Sequence, residues 1–183
     1  MSEIATIFWN NVFPENIIFV QFLGILLAMI ETRSIRSSYK KGVKYAVSIF
    51  TSGLLGWIFM AWIPESYEFI LIWLFLIIAL FVVYLLQKWG ELKGEWNGFP
   101  KFILILVPMI GLQWNLLEQG MDYVHKIFMI AGNVAGFYLA FMLIATIKEQ
   151  IKISESPAVL KKVPTILIAI GFFTLAFIGF SFI

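Results

Sequence analysis

The sequence predicts an all-α integral membrane protein. It would have six transmembrane helices, arranged as two inverted three-helix repeats with segments one and four broken. Three observations predict this. Apolar residues come in blocks close to the length that crosses a bilayer, charged residues are scarce, and the basic residues fall in alternate connections. Of 183 residues, 61% are hydrophobic and only 13% charged, whereas a soluble domain needs about a quarter of its residues charged. The surface is therefore expected to face the lipid bilayer. No basic patch is interleaved with exposed polar residues, so no nucleic acid partner is expected.

About 30 Å of hydrocarbon needs roughly 20 apolar residues per helix. Five stretches meet that requirement: Val43–Ile63, Tyr67–Gln87, Phe99–Leu117, Lys126–Ile147 and Val163–Ile183. Short polar connectors, such as Pro64-Glu65-Ser66 and Lys148–Lys162, separate them. The first block, Ile4–Ile30, is interrupted by Pro14-Glu15-Asn16. As one straight helix it would extend about 40 Å, longer than the membrane core. Proline removes a backbone donor and pushes Phe13 away from helical geometry, so this first segment reads as broken. The depth of the break is left open. The start, Met1-Ser2-Glu3, is acidic where a signal peptide would be basic, and the N-terminus is expected to remain in the mature protein.

Orientation follows from the basic residues. Arg33, Arg36, Lys40, Lys41 and Lys44 follow segment one. Lys88, Lys93 and Lys101 flank the connection between three and four, and Lys148, Lys152, Lys161 and Lys162 lie between five and six. Of 13 basic residues only Lys126 is left for the other side. Lys/Arg-rich loops are cytoplasmic, which puts both termini outside. Three spans per half require the halves, approximately 4–87 and 99–183, to lie in opposite orientations if they are repeats within the single domain 1–183. Paired Pro/Gly-interrupted segments are the usual pointer to that design. Here Pro14 and Gly24 mark segment one, and Pro108 and Gly111 mark segment four.

Polar residues inside these blocks are the functional candidates, because a polar or charged group in lipid normally faces the protein interior or a water-filled path. The first segment offers Glu15, Asn16 and Gln21; the fourth offers Gln113, Asn115 and Glu118; the fifth offers Asn133. Glu15 is either a cation or proton site or a carboxylate capping a helix start. Glu118 reads more simply as a loop acid. The amides either line an ion path or hydrogen-bond between helices. Gly132 and Gly136 have GxxxG spacing, which favours close helix packing. Trp57, Phe59 and Trp62 read as interface anchors. Cysteine is absent and His125 is the only histidine. That excludes disulfides and thiolate metal sites, leaves no haem pair, and predicts no cofactor bound by this chain alone. No hydrolase triad or phosphate loop is present, so the residues by themselves indicate no reaction.

The order of features resembles the membrane subunits of the Rnf and Nqr complexes, of the RnfA/NqrE type. Phe13-Pro14-Glu15-Asn16 followed by Phe22-Leu23-Gly24 is similar to that family's opening "ENxxxxxFLG". Ile103–Ile110, with Pro108, is similar to "GIFLPLI". Ile147-Lys148-Glu149 with Ser154-Glu155-Ser156-Pro157 is similar to "IRE…DVP", and Leu175–Ser181 to "LAFMGFSG". The resemblance covers nearly the whole chain. It implies inverted repeats with half-helices in segments one and four. It further implies pairing with a homologous six-span subunit of opposite orientation, inside a redox complex that couples electron transfer to Na⁺ or H⁺ movement. In that family each subunit gives two cysteines to a [2Fe–2S] cluster shared by the pair. Those positions fall here on Leu26 and Trp114, which cannot ligate iron. The expected role is a cluster-free subunit serving ion passage or assembly. The alternative is a stand-alone inverted-repeat transporter or channel.

Overall fold

The computed structural model describes residues 3–60, 62–63, 68–88, 95–96, 99–117, 122–153 and 163–180. The helices among them are α1 (Glu3–Val12), α2 (Ile25–Glu31), α3 (Ile35–Met60), α4 (Glu68–Lys88), α5 (Phe102–Asn115), α6 (Tyr123–Ile153) and α7 (Val163–Gly179). A two-residue antiparallel ladder, β1 (Glu95–Trp96) with β2 (Phe99–Pro100), lies between α4 and α5. All other regular structure among the described residues is helical.

Three helices, α3, α4 and α6, are long and apolar enough to cross a membrane, while α5 and α7 are shorter apolar helices. At 1.5 Å per residue α3 extends about 39 Å and α6 about 46 Å, both beyond the roughly 30 Å of hydrocarbon. The 14 residues of α5 extend only about 21 Å. The outer face of α4 is apolar: Phe69, Trp73, Ile77, Phe81 and Tyr84 are exposed, while Leu71, Phe75, Ile78, Val82 and Leu86 are buried. A helix apolar all round, with half its circumference uncovered, requires lipid as its solvent. This is a membrane protein.

Two boundaries differ from the sequence expectation for local reasons. The α3 helix starts at Ile35 rather than near Val43, so the basic stretch is helical. Its first turn is stabilised by acceptors on orphan donors: the Glu149 carboxylate accepts from the Ile35 N–H at 2.8 Å, and the Ser34 hydroxyl from the Ser37 N–H. The α6 helix runs on past Ile147 to Ile153, carrying Lys148 and Lys152.

Segment one is broken as expected, with residues 13–24 separating α1 from α2. Segment four is not interrupted at its proline: Pro108 and Gly111 both lie inside α5, which continues from Phe102 to Asn115. Proline costs a helix one backbone hydrogen bond, and here tertiary packing offsets it. The Pro108 ring lies against Gly24, where a methyl group would come within 3.1 Å of its Cγ, and Gly111 faces Leu23 so closely that any side chain would collide with it.

The most extensive packing joins α3 to α6, and α1 packs nearly as extensively on α6. The buried face of α3 is mostly small residues, Ser38, Gly42, Ala46, Ser48, Ser52, Gly53 and Gly56, with Tyr45 and Ile49 among them. Such faces let helix backbones approach closely in membranes, where hydrophobicity alone cannot drive association. Gly132 and Gly136 do the same against α1. A methyl group on Gly132 would come within 2.6 Å of the Phe8 carbonyl oxygen, and one on Gly136 within 3.0 Å of the Asn11 carbonyl oxygen. The α4 helix packs on α3 and α5. The α7 helix covers the break in segment one through Phe19–Phe173 and Phe13–Phe177 ring contacts, at 5.6 and 5.2 Å.

Candidate functional site

Irregular backbone buried between helices persists only where its polar groups are satisfied within the protein. The break is satisfied in part by its own backbone, with Glu15 N–H donating to the Asn10 carbonyl and Leu23 N–H to that of Ile17, both at 2.8 Å, and most densely by the side chain of Asn16. Asn16 is fully buried. Its Nδ2 donates to the Val12 carbonyl at 2.7 Å, and its Oδ1 accepts from the N–H groups of Ile18 and Phe19, both at 3.0 Å. The Phe19 carbonyl accepts from the Thr174 hydroxyl of α7 at 2.8 Å. Ile17, Ile18 and Phe19 are buried with Asn16. The turn closes through Phe22 at φ 58 and Gly24 at φ 90. Gly24 tolerates that geometry because it has no Cβ, and the same absence admits Pro108.

The remaining amides make three separate contacts. Asn115 Nδ2 donates to Gln21 Oε1 at 3.3 Å, joining segment four to segment one, and Gln21 Nε2 donates to the Glu15 carbonyl at 3.3 Å. Asn133 Nδ2 donates to Asn11 Oδ1 at 2.6 Å, joining α6 to α1. Gln113 Nε2 donates to the Ser52 carbonyl at 3.0 Å and to its hydroxyl at 2.9 Å, joining α5 to α3. Gln113 and Asn133 are fully buried, yet Gln113 Oε1 and Asn133 Oδ1 have no hydrogen-bond partner among the described residues. A buried acceptor without a donor costs about 1–3 kcal/mol, and a water or a cation is the chemistry that relieves it. Glu15 is exposed and Glu118 lies outside the described residues. Asn16, Gln21 and Asn115 thus meet at the break, Asn133 joins Asn11 on α1, and Gln113 stands apart against α3.

Charged residues not singled out from sequence hold the two ends. Glu31, buried at the end of α2, forms ion pairs with Lys41 at 2.6 Å and Lys101 at 3.2 Å, and accepts from the Tyr45 hydroxyl at 3.3 Å. Lys148 Nζ donates to the Met29 and Thr32 carbonyls. At the opposite end of α6, Lys126 is buried and its Nζ donates to the Leu116 carbonyl at 2.8 Å, capping α5. The lone basic residue outside the basic connections is thus a helix cap rather than a surface charge. The signals were present, as a lone acid beside a basic run and the asparagine pair Asn10-Asn11 in segment one. Only tertiary contacts give them partners.

The family model described as "Rnf-Nqr subunit, membrane protein" matches residues 4–183. The chain belongs to the Rnf-Nqr subunit family. Its curated relatives include one of the subunits of the proton-translocating ferredoxin:NAD(+) oxidoreductase complex of Clostridium ljungdahlii, 23% identical. Two others come from ion-translocating oxidoreductase complexes, that of Aromatoleum aromaticum at 22% identity and that of Photorhabdus laumondii at 24%. Each match covers 99% of this chain and 97% of the relative.

The motif resemblance points to Leu26 and Trp114 as the positions to test for an iron–sulfur cluster. Leu26 lies in the first turn of α2 and Trp114 in the last turn of α5, 52% and 58% exposed. A hydrocarbon and an indole supply no ligand, and the chain has no cysteine. No group of three or more His, Asp or Glu that could hold a metal occurs among the described residues. The residues present do not fit the cluster.

Proposed function

We propose that this chain is a cluster-free membrane subunit of an ion-translocating redox complex, serving ion passage or assembly rather than electron transfer. The observation that carries the proposal is the family match over residues 4–183, combined with side chains at positions 26 and 114 that cannot hold iron. In this reading the chain crosses a prokaryotic inner membrane six times with both termini outside, as the basic connections dictate. It binds no cofactor of its own. It pairs with a homologous six-span subunit of opposite orientation and with the redox subunits of the complex.

Reciprocal packing supports an inverted-repeat design: the first segment of each half lies against the long helix of the other, α1 on α6 and α5 on α3. Each of these contacts carries a buried amide with an unpartnered oxygen, Asn133 in one and Gln113 in the other. Those two oxygens favour a second reading, a stand-alone transporter that passes an ion along the segment interfaces.

Affinity purification from native membranes in mild detergent, with mass spectrometry of co-purifying chains, separates the two. Recovery of a second six-span homologue with flavin- or iron–sulfur-bearing subunits supports the complex. Recovery of this chain alone overturns it in favour of the transporter.

A further inference from the structure

The last carbonyls of a helix have no partner on the helix itself and carry its negative pole. At the end of α2 two of these oxygens are turned toward one point. Thr32 leaves the helix with extended backbone (φ −81, ψ 131), and its N–H and hydroxyl both turn back to the Ala28 carbonyl, at 3.2 and 2.6 Å. This fixes the Thr32 carbonyl beside that of Met29, and Lys148 Nζ donates to both. Thr32 is fully buried. Lys148 reaches the site from α6, more than a hundred residues away in sequence, so the ammonium is delivered by tertiary structure and not by the helix it caps.

We propose that the Lys148 ammonium is a tethered cation, occupying a backbone-carbonyl site that takes a free monovalent alkali cation when the lysine is removed. Convergent carbonyls at the end of an interrupted membrane helix are the ligands alkali ions use in such folds. An ammonium presents the same single positive charge to them. The neighbouring charges set the valence. Arg33 and Lys152 act on the site with like charge and Glu31 with opposite charge, an environment that disfavours a second positive charge on the occupant. While the ammonium is in place, α2 is locked to α6 and the site is closed to exchange. This inference rests on the carbonyl geometry and the neighbouring charges, and stands whether or not the chain belongs to a redox complex.

The test uses the full chain purified in mild detergent, unfolded by heat in choline, lithium, sodium or potassium chloride at equal ionic strength. The wild type is expected to unfold at one temperature in all four salts. Lys148→Met is expected to unfold at a lower temperature in choline and to regain most of that loss, saturably, in at least one alkali salt. Lys152→Met, which removes an exposed contact to the Arg33 carbonyl and one like charge near the site but leaves the Lys148 ammonium in place, is expected to show no dependence on cation identity. A Lys148→Met protein equally destabilised in every salt, or as stable as wild type in choline, overturns the proposal. If Lys148→Met does not fold in choline, its recovery by expression and purification in an alkali salt supports the proposal. Failure in every salt while Lys148→Arg folds normally marks Lys148 as a structural cap and overturns it.

Discussion

Replacing Asn16 with alanine tests whether one amide holds the break in segment one. The substitution removes the donor to the Val12 carbonyl and the acceptor of the Ile18 and Phe19 N–H groups, all within a buried segment. Three orphaned backbone groups at roughly 1–3 kcal/mol each give an upper range of about 3–9 kcal/mol. Two of the three shared a single acceptor, and the chain relaxes in part, so the expected loss is about 3–5 kcal/mol. Water cannot readily rescue them, because Ile17, Ile18 and Phe19 are buried with them. Asn115→Ala is the control. It removes one 3.3 Å contact to Gln21 and is expected to cost less than about 1 kcal/mol. The assay is SDS titration of the purified chain in mixed micelles, followed by tryptophan fluorescence and circular dichroism. An Asn16→Ala midpoint no lower than that of Asn115→Ala would refute the reasoning and assign the shape of the break to Pro14 and Gly24 instead.

Further outcomes follow from packing and charge. Gly132→Ala places a methyl 2.6 Å from the Phe8 carbonyl oxygen and is expected to destabilise by about 1–3 kcal/mol in the same titration. Gly171→Ala, with nothing within 4 Å, is expected to be neutral or slightly stabilising. Glu31→Gln leaves Lys41 and Lys101 without their carboxylate; both lysines are partly exposed, so the expected loss is about 1–2 kcal/mol, below that of a fully buried pair. Gln113→Leu removes the unpartnered oxygen together with the donors to Ser52. It is expected to fold within about 1 kcal/mol of wild type and, under the transporter reading, to abolish ion flux in liposomes. Iron and acid-labile sulfide assayed on the purified chain are expected to be absent; stoichiometric iron with a cluster-like spectrum would contradict the assignment of Leu26 and Trp114.

Sequence alone carried the membrane class, the helical fold and the break in segment one. Each depends on composition or on the backbone chemistry of a named residue: apolar blocks such as Tyr67–Gln87, and Pro14, which lacks an N–H. The same local rule misjudged Pro108, because what offsets a helical proline is its contact with Gly24, a residue 84 positions away. Helix ends were likewise beyond local reading. The start of α3 depends on Glu149, more than a hundred residues away, and the end of α5 on Lys126, which reaches back from the following helix. The candidate amides were legible as polar residues in apolar blocks, but their partners were not. Asn133 meets Asn11 and Gln113 meets Ser52 only once α1 packs on α6 and α5 on α3. Hydropathy and proline chemistry act within a few residues and can be read in one dimension. Partners and caps are set by which helices touch, so only the tertiary structure decided them.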